Sequence, residues 1–156
     1  MYDENLPWTI RNASFTAPGI GRDGSAGIYM SWPNPCFIQE LNPGKLEKGR
    51  YRIFFELKGE TLQDPSVKAW SAKLATVHPF LNEYTPFSAH LEYFRRDGRK
   101  ETVSHSWKLG KVYDWKRFEM ELEVPEEGYA PRIRLEGMPE YAGVIYLDRI
   151  GFEKIK

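Results

Sequence analysis

Between Trp115 and Pro125 the chain alternates without a break: Phe118, Met120, Leu122 and Val124 interleave with Arg117, Glu119, Glu121 and Glu123. A period of two is that of a strand with one dry and one wet face. The same alternation opens after Lys48-Gly49, where Tyr51, Ile53, Phe55 and Leu57 fall on one face and Arg50, Arg52, Phe54, Glu56 and Lys58 on the other. The odd-numbered set is the expected core face. A third stretch, Gly143 to Phe152, is dense in β-branched and aromatic residues and reads as a closing strand, with Asp148 inside its apolar run.

Shorter pieces fill the pattern in. Gly27 to Trp32 and Cys36 to Leu41 read as short strands, the second followed by a turn at Asn42-Pro43-Gly44. Phe87 to Arg95 and Lys100 to Trp107 form an expected hairpin around Arg96-Asp97-Gly98, since Asp-Gly supplies the positive backbone angles of a tight turn. A turn at Glu126-Glu127-Gly128, a strand from Pro131 to Glu136 and a loop at Met138-Pro139-Glu140 follow. From Glu60 to Pro86 the pattern suits either a short capped helix or a strand; the neighbours favour strand, and His78-Pro79 and Thr85-Pro86 are expected to end whatever precedes them. Eight or nine short strands with hairpin spacing predict an all-β, two-sheet antiparallel β-sandwich, a jelly roll or a relative of it. At 156 residues, 1–156 is expected to form one domain.

Composition narrows the function classes. The 22 basic and 22 acidic residues cancel and are spread along the chain, which disfavours nucleic acid and acidic membranes as partners. One cysteine, Cys36, leaves no internal disulfide or multi-cysteine metal site. Residues 1–6 lack the basic-then-apolar order of a signal peptide, as would a module excised from a secreted protein. Asn12-Ala13-Ser14 fits an N-glycosylation acceptor. The abnormal part is aromatic: five Trp, nine Tyr and nine Phe, more than a core of this size needs in its turn-rich segments.

Several segments recur in a known order. Asn12-Ala13-Ser14-Phe15 is followed by Ile38-Gln39, then by Leu46-Glu47-Lys48-Gly49-Arg50-Tyr51-Arg52-Ile53-Phe54-Phe55 and Lys58-Gly59. Trp115-Lys116-Arg117-Phe118 leads to Val124-Pro125, and the strand from Ile145 to Ile150 closes the chain. From Ile10 to Glu153 this order resembles the carbohydrate-binding modules of the jelly-roll group that includes families four, nine, sixteen and twenty-two. The resemblance implies a galactose-binding-like jelly roll, a polysaccharide or oligosaccharide ligand, a covalently linked catalytic domain in the parent protein, an extracellular or cell-surface setting, and one structural calcium ion. Asp148 is its tentative ligand. Two positions depart from the group's pattern: Thr16 stands where an acid often follows the opening Phe, and Asp148-Arg149 replaces a paired Asp-Asp.

Sugars are held by aromatic rings stacked on the pyranose face, with Asp, Glu, Asn, Gln, Arg or His bonded to the hydroxyls. Trp32, Trp70, Tyr84, Trp107 and Tyr29 fall in loop-like or irregular segments and are candidate platforms along a loop edge. A cleft is the alternative, across a face carrying Arg52, Phe54, Glu56, His90 and Glu92, the last two belonging to an outward set that continues to Phe94. Glu119, Glu121 and Glu123 are expected to pair with Arg132 and Arg134 of the next strand across a solvated surface. Exposed glutamates beside arginines do not make the raised-pKa acid that glycoside hydrolysis needs. His78, His90 and His105 are too scattered for a metal set, and neither a nucleophile elbow nor a phosphate loop occurs. The expected function is a non-catalytic carbohydrate-binding module that anchors a parent polysaccharide-active enzyme to its glycan. A ligand-free structural sandwich domain, or a small polysaccharide lyase or glycoside hydrolase, are the alternatives.

Overall fold

Alternating strands with one apolar face can hide that face only against another sheet, and the chain does this. The structure, a computed structural model, describes residues 8–11, 14–17, 19–31, 36–41, 44–61, 85–137 and 143–155. Among them are eleven strands: β1 (Trp8–Arg11), β2 (Ser14–Ala17), β3 (Gly27–Ser31), β4 (Cys36–Glu40), β5 (Lys45–Leu46), β6 (Gly49–Thr61), β7 (Thr85–Phe94), β8 (Lys100–Leu109), β9 (Tyr113–Val124), β10 (Gly128–Gly137) and β11 (Gly143–Lys154). Sheet I runs β1-β4-β10-β7-β8 with β5 added to β10, and sheet II runs β2-β3-β11-β6-β9. Every pairing is antiparallel. The expected two-sheet β-sandwich is the observed fold.

The core lies between the sheets. Phe37, Phe87, Ala89, Leu91, Ile133 and Leu135 come from sheet I, and Met30, Ile53, Phe55, Leu57, Ile145 and Leu147 from sheet II. The Phe55 and Phe87 rings meet across the interface with centroids 5.3 Å apart. Each of these side chains larger than Ala89 contributes about 1.5–3 kcal/mol by leaving water. Cys36, the chain's one cysteine, is buried and outside any disulfide.

The hairpin over β7 and β8 forms as expected, with Arg95 N–H donating to Arg99 O at 2.8 Å around Gly98 at φ +87°. Thr85-Pro86 stands at the start of β7, and the segment it is expected to end lies outside the described residues. Pro86 tolerates this place because pairing to β10 begins only at Phe87, so its missing N–H leaves no gap in that ladder. The helix-or-strand question over residues 62–84 lies outside the described residues.

Two expectations are corrected by which sheet each strand joins. The cleft across Arg52, Phe54, Glu56, His90 and Glu92 cannot form: β6 belongs to sheet II and β7 to sheet I, and both turn their odd-numbered residues into the shared core. Their even-numbered residues therefore lie on opposite outer surfaces of the sandwich. Likewise β9 and β10, though consecutive, sit in different sheets, so Glu119, Glu121 and Glu123 do not meet Arg132 and Arg134. Glu119 and Glu121 pair with arginines of sheet II, and Arg132 and Arg134 pair with Glu92 of β7.

Candidate functional site

The outer face of sheet I is assembled by a β-bulge. Tyr129 lies opposite Phe94, and Arg132 opposite Glu92, so β10 spends one residue more than β7 over the same span. Ala130 takes φ +49° to do it. In a regular strand, residues three apart face opposite sides; the extra residue puts Tyr129 and Arg132 on the same one. Phe94 is 42% exposed, a large aromatic ring open to water at the end of β7. Beside it, Tyr129 donates its hydroxyl to Glu127 Oε1 at 2.6 Å, and Arg96, Glu126, Glu127 and Tyr129 line a cavity of about 230 Å³.

Next along the face is a buried acid under three cations. Glu92 is only 2% exposed, and its carboxylate takes Arg132 Nε at 2.7 Å, Arg134 Nε at 3.1 Å and Lys100 Nζ at 3.2 Å. Burial alone would raise its pKa; the hydrogen bonds from Arg132 and Lys100, with the charges of Arg132 and Arg134, outweigh burial and hold it below the ordinary glutamate value. Both arginines meet Glu92 through Nε, and among the described residues the Nη groups of Arg132 make no ion pair or hydrogen bond. They are free to donate to a ligand.

One residue pair further along, His90 lies between Ser104 Oγ, 2.6 Å from Nδ1, and Glu136 Oε1, 2.8 Å from Nε2. An ionised carboxylate only accepts, so Nε2–H donates to Glu136 and, in the neutral ring, Nδ1 accepts from the serine. Ser88 and Ser106 hydroxyls follow at 2.9 Å from each other. The face thus presents, in register, an aromatic end, a cationic middle and a row of hydroxyl-sized donors and acceptors. A polyhydroxylated ligand needs these groups, and an apolar one does not.

The outer face of sheet II closes on itself. Arg52 is bonded to Glu153 Oε1 at 2.9 Å and Glu121 Oε1 at 3.0 Å, with Glu119 at 3.9 Å. Phe54 lies between Gly151, where a Cβ would come within 1.9 Å of the ring, and the Arg117 guanidinium 4.4 Å from its centroid. Glu56, 7% exposed, holds Arg22 Nη1 at 2.6 Å. Tyr29 and Tyr146 meet edge to face at 5.6 Å, and Tyr146 donates to Glu60 at 2.9 Å. Burial first, then that hydrogen bond and the charge of Glu60, push the Tyr146 pKa up to about 12.

Asp148 is partnered by a backbone turn. Its Oδ2 accepts from Arg22 N–H at 2.9 Å and Ser25 Oγ at 2.8 Å, and its Oδ1 from Arg149 N–H at 2.8 Å. These contacts dock the 3-10 turn Arg22–Gly24 onto β11. A calcium ion needs several oxygen donors with unspent lone pairs. Asp148 is met by N–H and O–H donors, and the carboxylates nearest it are already taken: Glu56, opposite it in register, by Arg22 Nη1 at 2.6 Å, and Asp23 by Arg149 Nη2 at 3.0 Å. That donor set does not fit a cation, and among the described residues no three His, Cys, Asp or Glu side chains group as metal ligands.

Of the sequence-predicted site residues that are among the described residues, only His90 and Glu92 belong to the open face. Arg52, Phe54 and Glu56 belong to the closed one. Trp107 is corrected from loop platform to packing residue: it sits in β8, half-buried, with Phe55 at 5.4 Å, Phe118 at 5.8 Å and His105 at 4.5 Å around its ring. Trp32, Trp70 and Tyr84 lie outside the described residues. Tyr129, Arg132, Arg134 and Glu136 carry no site signal in the sequence; Phe94 reads there as outward but not as a platform.

No protein-family model matches the chain, and no curated protein does. Solved structures do match it in fold. A family 61 carbohydrate-binding module in complex with β-1,4-galactotriose superposes at TM-score 0.59 with 12% identity, over 96% of this chain and 89% of that one. The CBM22-1 xylan-binding domain of Paenibacillus barcinonensis Xyn10C gives 0.62 and 9%, over 96% and 86%. A Clostridium thermocellum xylanase 10B structure, CBM22-1 and GH10 modules with xylohexaose, gives 0.62 and 9%; this chain spans 96% of itself and 26% of that protein. The architecture is that of the carbohydrate-binding-module jelly rolls.

Proposed function

We propose that the protein is a non-catalytic glycan-binding module whose ligand lies across the outer face of sheet I. Phe94 would take the apolar face of one sugar ring. Arg132, Arg134, His90 and Glu136 would bond the hydroxyls of the rings that follow along β7 and β10. The observation that carries this reading is the exposed Phe94 ring in register with Tyr129 and next to the Glu92 cluster, since aromatic and charged groups in one row match the two surfaces of a pyranose. The glycan-bound modules of the same fold support it.

A hydrolase needs a carboxylic acid held protonated near neutrality. Glu92, the buried carboxylate of this face, is instead held below its ordinary value by the cations around it, which suits it to anchoring Arg132 and Arg134 and not to donating a proton. This favours binding over bond cleavage. Attached to a polysaccharide-active parent and working outside the cell, the module would raise the enzyme's effective concentration at its substrate without chemistry of its own. It would do so without calcium at Asp148.

Affinity electrophoresis and isothermal titration against a panel of soluble β-glycans, galactan and xylan included, test this directly. Retardation by at least one polymer, lost in Phe94→Ala and in Arg134→Ala, is the expected result. Retention of full affinity by both variants would move the site elsewhere. Release of reducing or unsaturated sugars from the same panel would make the protein an enzyme.

A further inference from the structure

The guanidiniums on the outer face of sheet I are held at one end and open at the other. Arg132, Arg134 and Lys100 all pair with Glu92, so a single buried carboxylate serves three cations. The next acid along the face adds little: Glu136 Oε1 accepts from His90 Nε2 at 2.8 Å and lies 4.0 Å from Arg134 Nη2. Glu40 stands opposite Arg132 in register on β4, is exposed, and forms no ion pair among the described residues.

A second observation concerns hydrogen bonds and not charge. Arg132 spends Nε on Glu92 at 2.7 Å and neither of its Nη groups on any described residue. Arg134 spends nothing. Its Nε, sealed from solvent, lies 3.1 Å from Glu92 Oε1 but too poorly aligned for a hydrogen bond, and its Nη2 stays 4.0 Å from Glu136. Guanidinium N–H groups left unbonded in a half-buried row mark a place that a ligand or water completes. Hydroxyls would satisfy them singly. A carboxylate is the better match: it is planar, accepts on two oxygens as the guanidinium fork requires, and brings the negative charge that the Glu92 cluster lacks. The platform beside it fixes the carrier. Phe94 follows Glu92 by two residues on β7, about 7 Å along the strand, so a sugar ring stacked on Phe94 has its chain neighbour over Arg132 and Arg134.

We propose that the outer face of sheet I is selective for acidic glycans, chains whose sugars carry a carboxylate, the uronic acids, and that Arg132 and Arg134 set this selectivity. The carboxylate would lie against the Nη edge of Arg132 within reach of Arg134, with the preceding ring on Phe94. The inference rests on the glycan-binding reading of this face and adds the charge of the ligand to it. Glu92 then aims the two arginines, and Glu40 is a like charge that moderates the affinity.

The test is isothermal titration of the whole chain near neutral pH, at low and high salt. The probes are oligomers of galacturonic, glucuronic and mannuronic acid, the methyl esters of all three, neutral galactan and xylan oligomers, and a sulfated galactan. At least one acid is expected to bind tenfold or more tightly than its own ester, about the worth of one charge-assisted hydrogen bond, with the gap narrowing as salt rises. Arg132→Gln should close most of that gap, and Arg132→Lys, which keeps the charge and loses the fork, part of it. Glu40→Gln, at an exposed position outside the cluster, should tighten the acid about twofold to threefold and leave both the ester and the melting temperature where they were; it carries the test if Arg132→Gln melts early. Equal affinity for acid and ester, with both lost in Phe94→Ala, overturns the acidic preference and leaves the sheet I reading standing. A sulfated galactan bound as tightly as the best uronate overturns the carboxylate. An acid preference that neither Arg132→Gln nor Glu40→Gln moves overturns its assignment to these arginines. Binding to none of the probes overturns the glycan reading together with this one.

Discussion

The two outer faces of the sandwich are written in the same alternating code and end in opposite states. On sheet II nearly every charged group is spent on a neighbour: Arg52 on Glu121 and Glu153, Glu56 on Arg22, and even the aromatic Phe54 is covered by Arg117. On sheet I three cations share one buried acid, and Phe94 has no cover. An outward aromatic between charged residues therefore says little until the opposing strand is known. What separates a solvated lattice from a binding surface is the ratio of donors to acceptors among cross-strand neighbours, and that ratio belongs to the sheet, not to the strand.

Glu92 is the point at which the contrast breaks most severely. Glu92→Gln would leave Arg132, Arg134 and Lys100 facing one another without their shared carboxylate, at a cost of about 3 kcal/mol; the figure sits low in the range for breaking a buried pair because all three cations keep contact with water. The pH dependence has a definite sign. Because the folded pKa of Glu92 lies below the unfolded value, its stabilisation is present above that unfolded value and is lost as pH falls through the folded one. Urea titrations at stepped pH should show wild type losing stability over that acid range, with the Gln variant lower at neutral pH and less dependent on acid. If the two curves run parallel, the cluster is not what the geometry says.

A matched pair of phenylalanines tests the faces directly. Phe94→Ala should cost about 2 kcal/mol of glycan binding, the scale of an anchoring aromatic, and little stability. Phe54→Ala should do the reverse: unchanged affinity, with about 1–2 kcal/mol of stability lost as its packing on Gly151 and the Arg117 cation–π contact disappear. Calorimetric titration and thermal melts of both variants separate the two effects. A Phe54→Ala variant that lost binding would put the ligand on the wrong face.

Much of this architecture was legible in the chain. Tyr51 to Leu57 and Phe118 to Val124 showed their core faces by period alone, and Asp97-Gly98 announced the β7–β8 turn. The site was not legible to the same degree. Alternation tells which residues share a face of one strand; it does not say that β6 and β7 lie in different sheets, and the cleft joining Arg52 to His90 failed there. Tyr129 and Arg132 have the wrong spacing to share a face unless a residue is inserted, and Ala130, with no glycine or asparagine to advertise a positive φ, gave no signal of it. Trp107 looked like a spare ring, yet its ring fills the gap between the edge strands.

Ala130 also supplies a smaller test. An alanine held at φ +49° bears about 1 kcal/mol of strain that glycine would not. Ala130→Gly should raise the melting temperature and leave glycan affinity as it is, because the bulge is fixed by pairing on both sides. Ala130→Val should lower both, since a β-branched residue there would pull β10 back into regular register and turn Tyr129 away from Phe94. Arg149 on sheet II adopts a similar φ of +51°, but its guanidinium pairs with Asp23 and lies 3.6 Å from Glu56. Arg149→Gly should gain nothing, because the relieved strain is offset by the lost ion pairs.

The smallest expected effect is a null one, and it separates the turn at Asp148 from a metal site. A chelator should leave the melting temperature of the protein unmoved, because the carboxylate is already held by two amides and a hydroxyl, and Glu56 and Asp23 are held by Arg22 and Arg149. Asp148→Asn should cost about 1 kcal/mol whether or not calcium is present, since an amide can still accept on one side but not on both. A calcium-dependent rise in melting temperature that Asp148→Asn abolishes would reverse this assignment. The turn Arg22–Gly24 would then be the rim of an ion site, and Glu56, now occupied with Arg22, would be freed toward the closed face of sheet II.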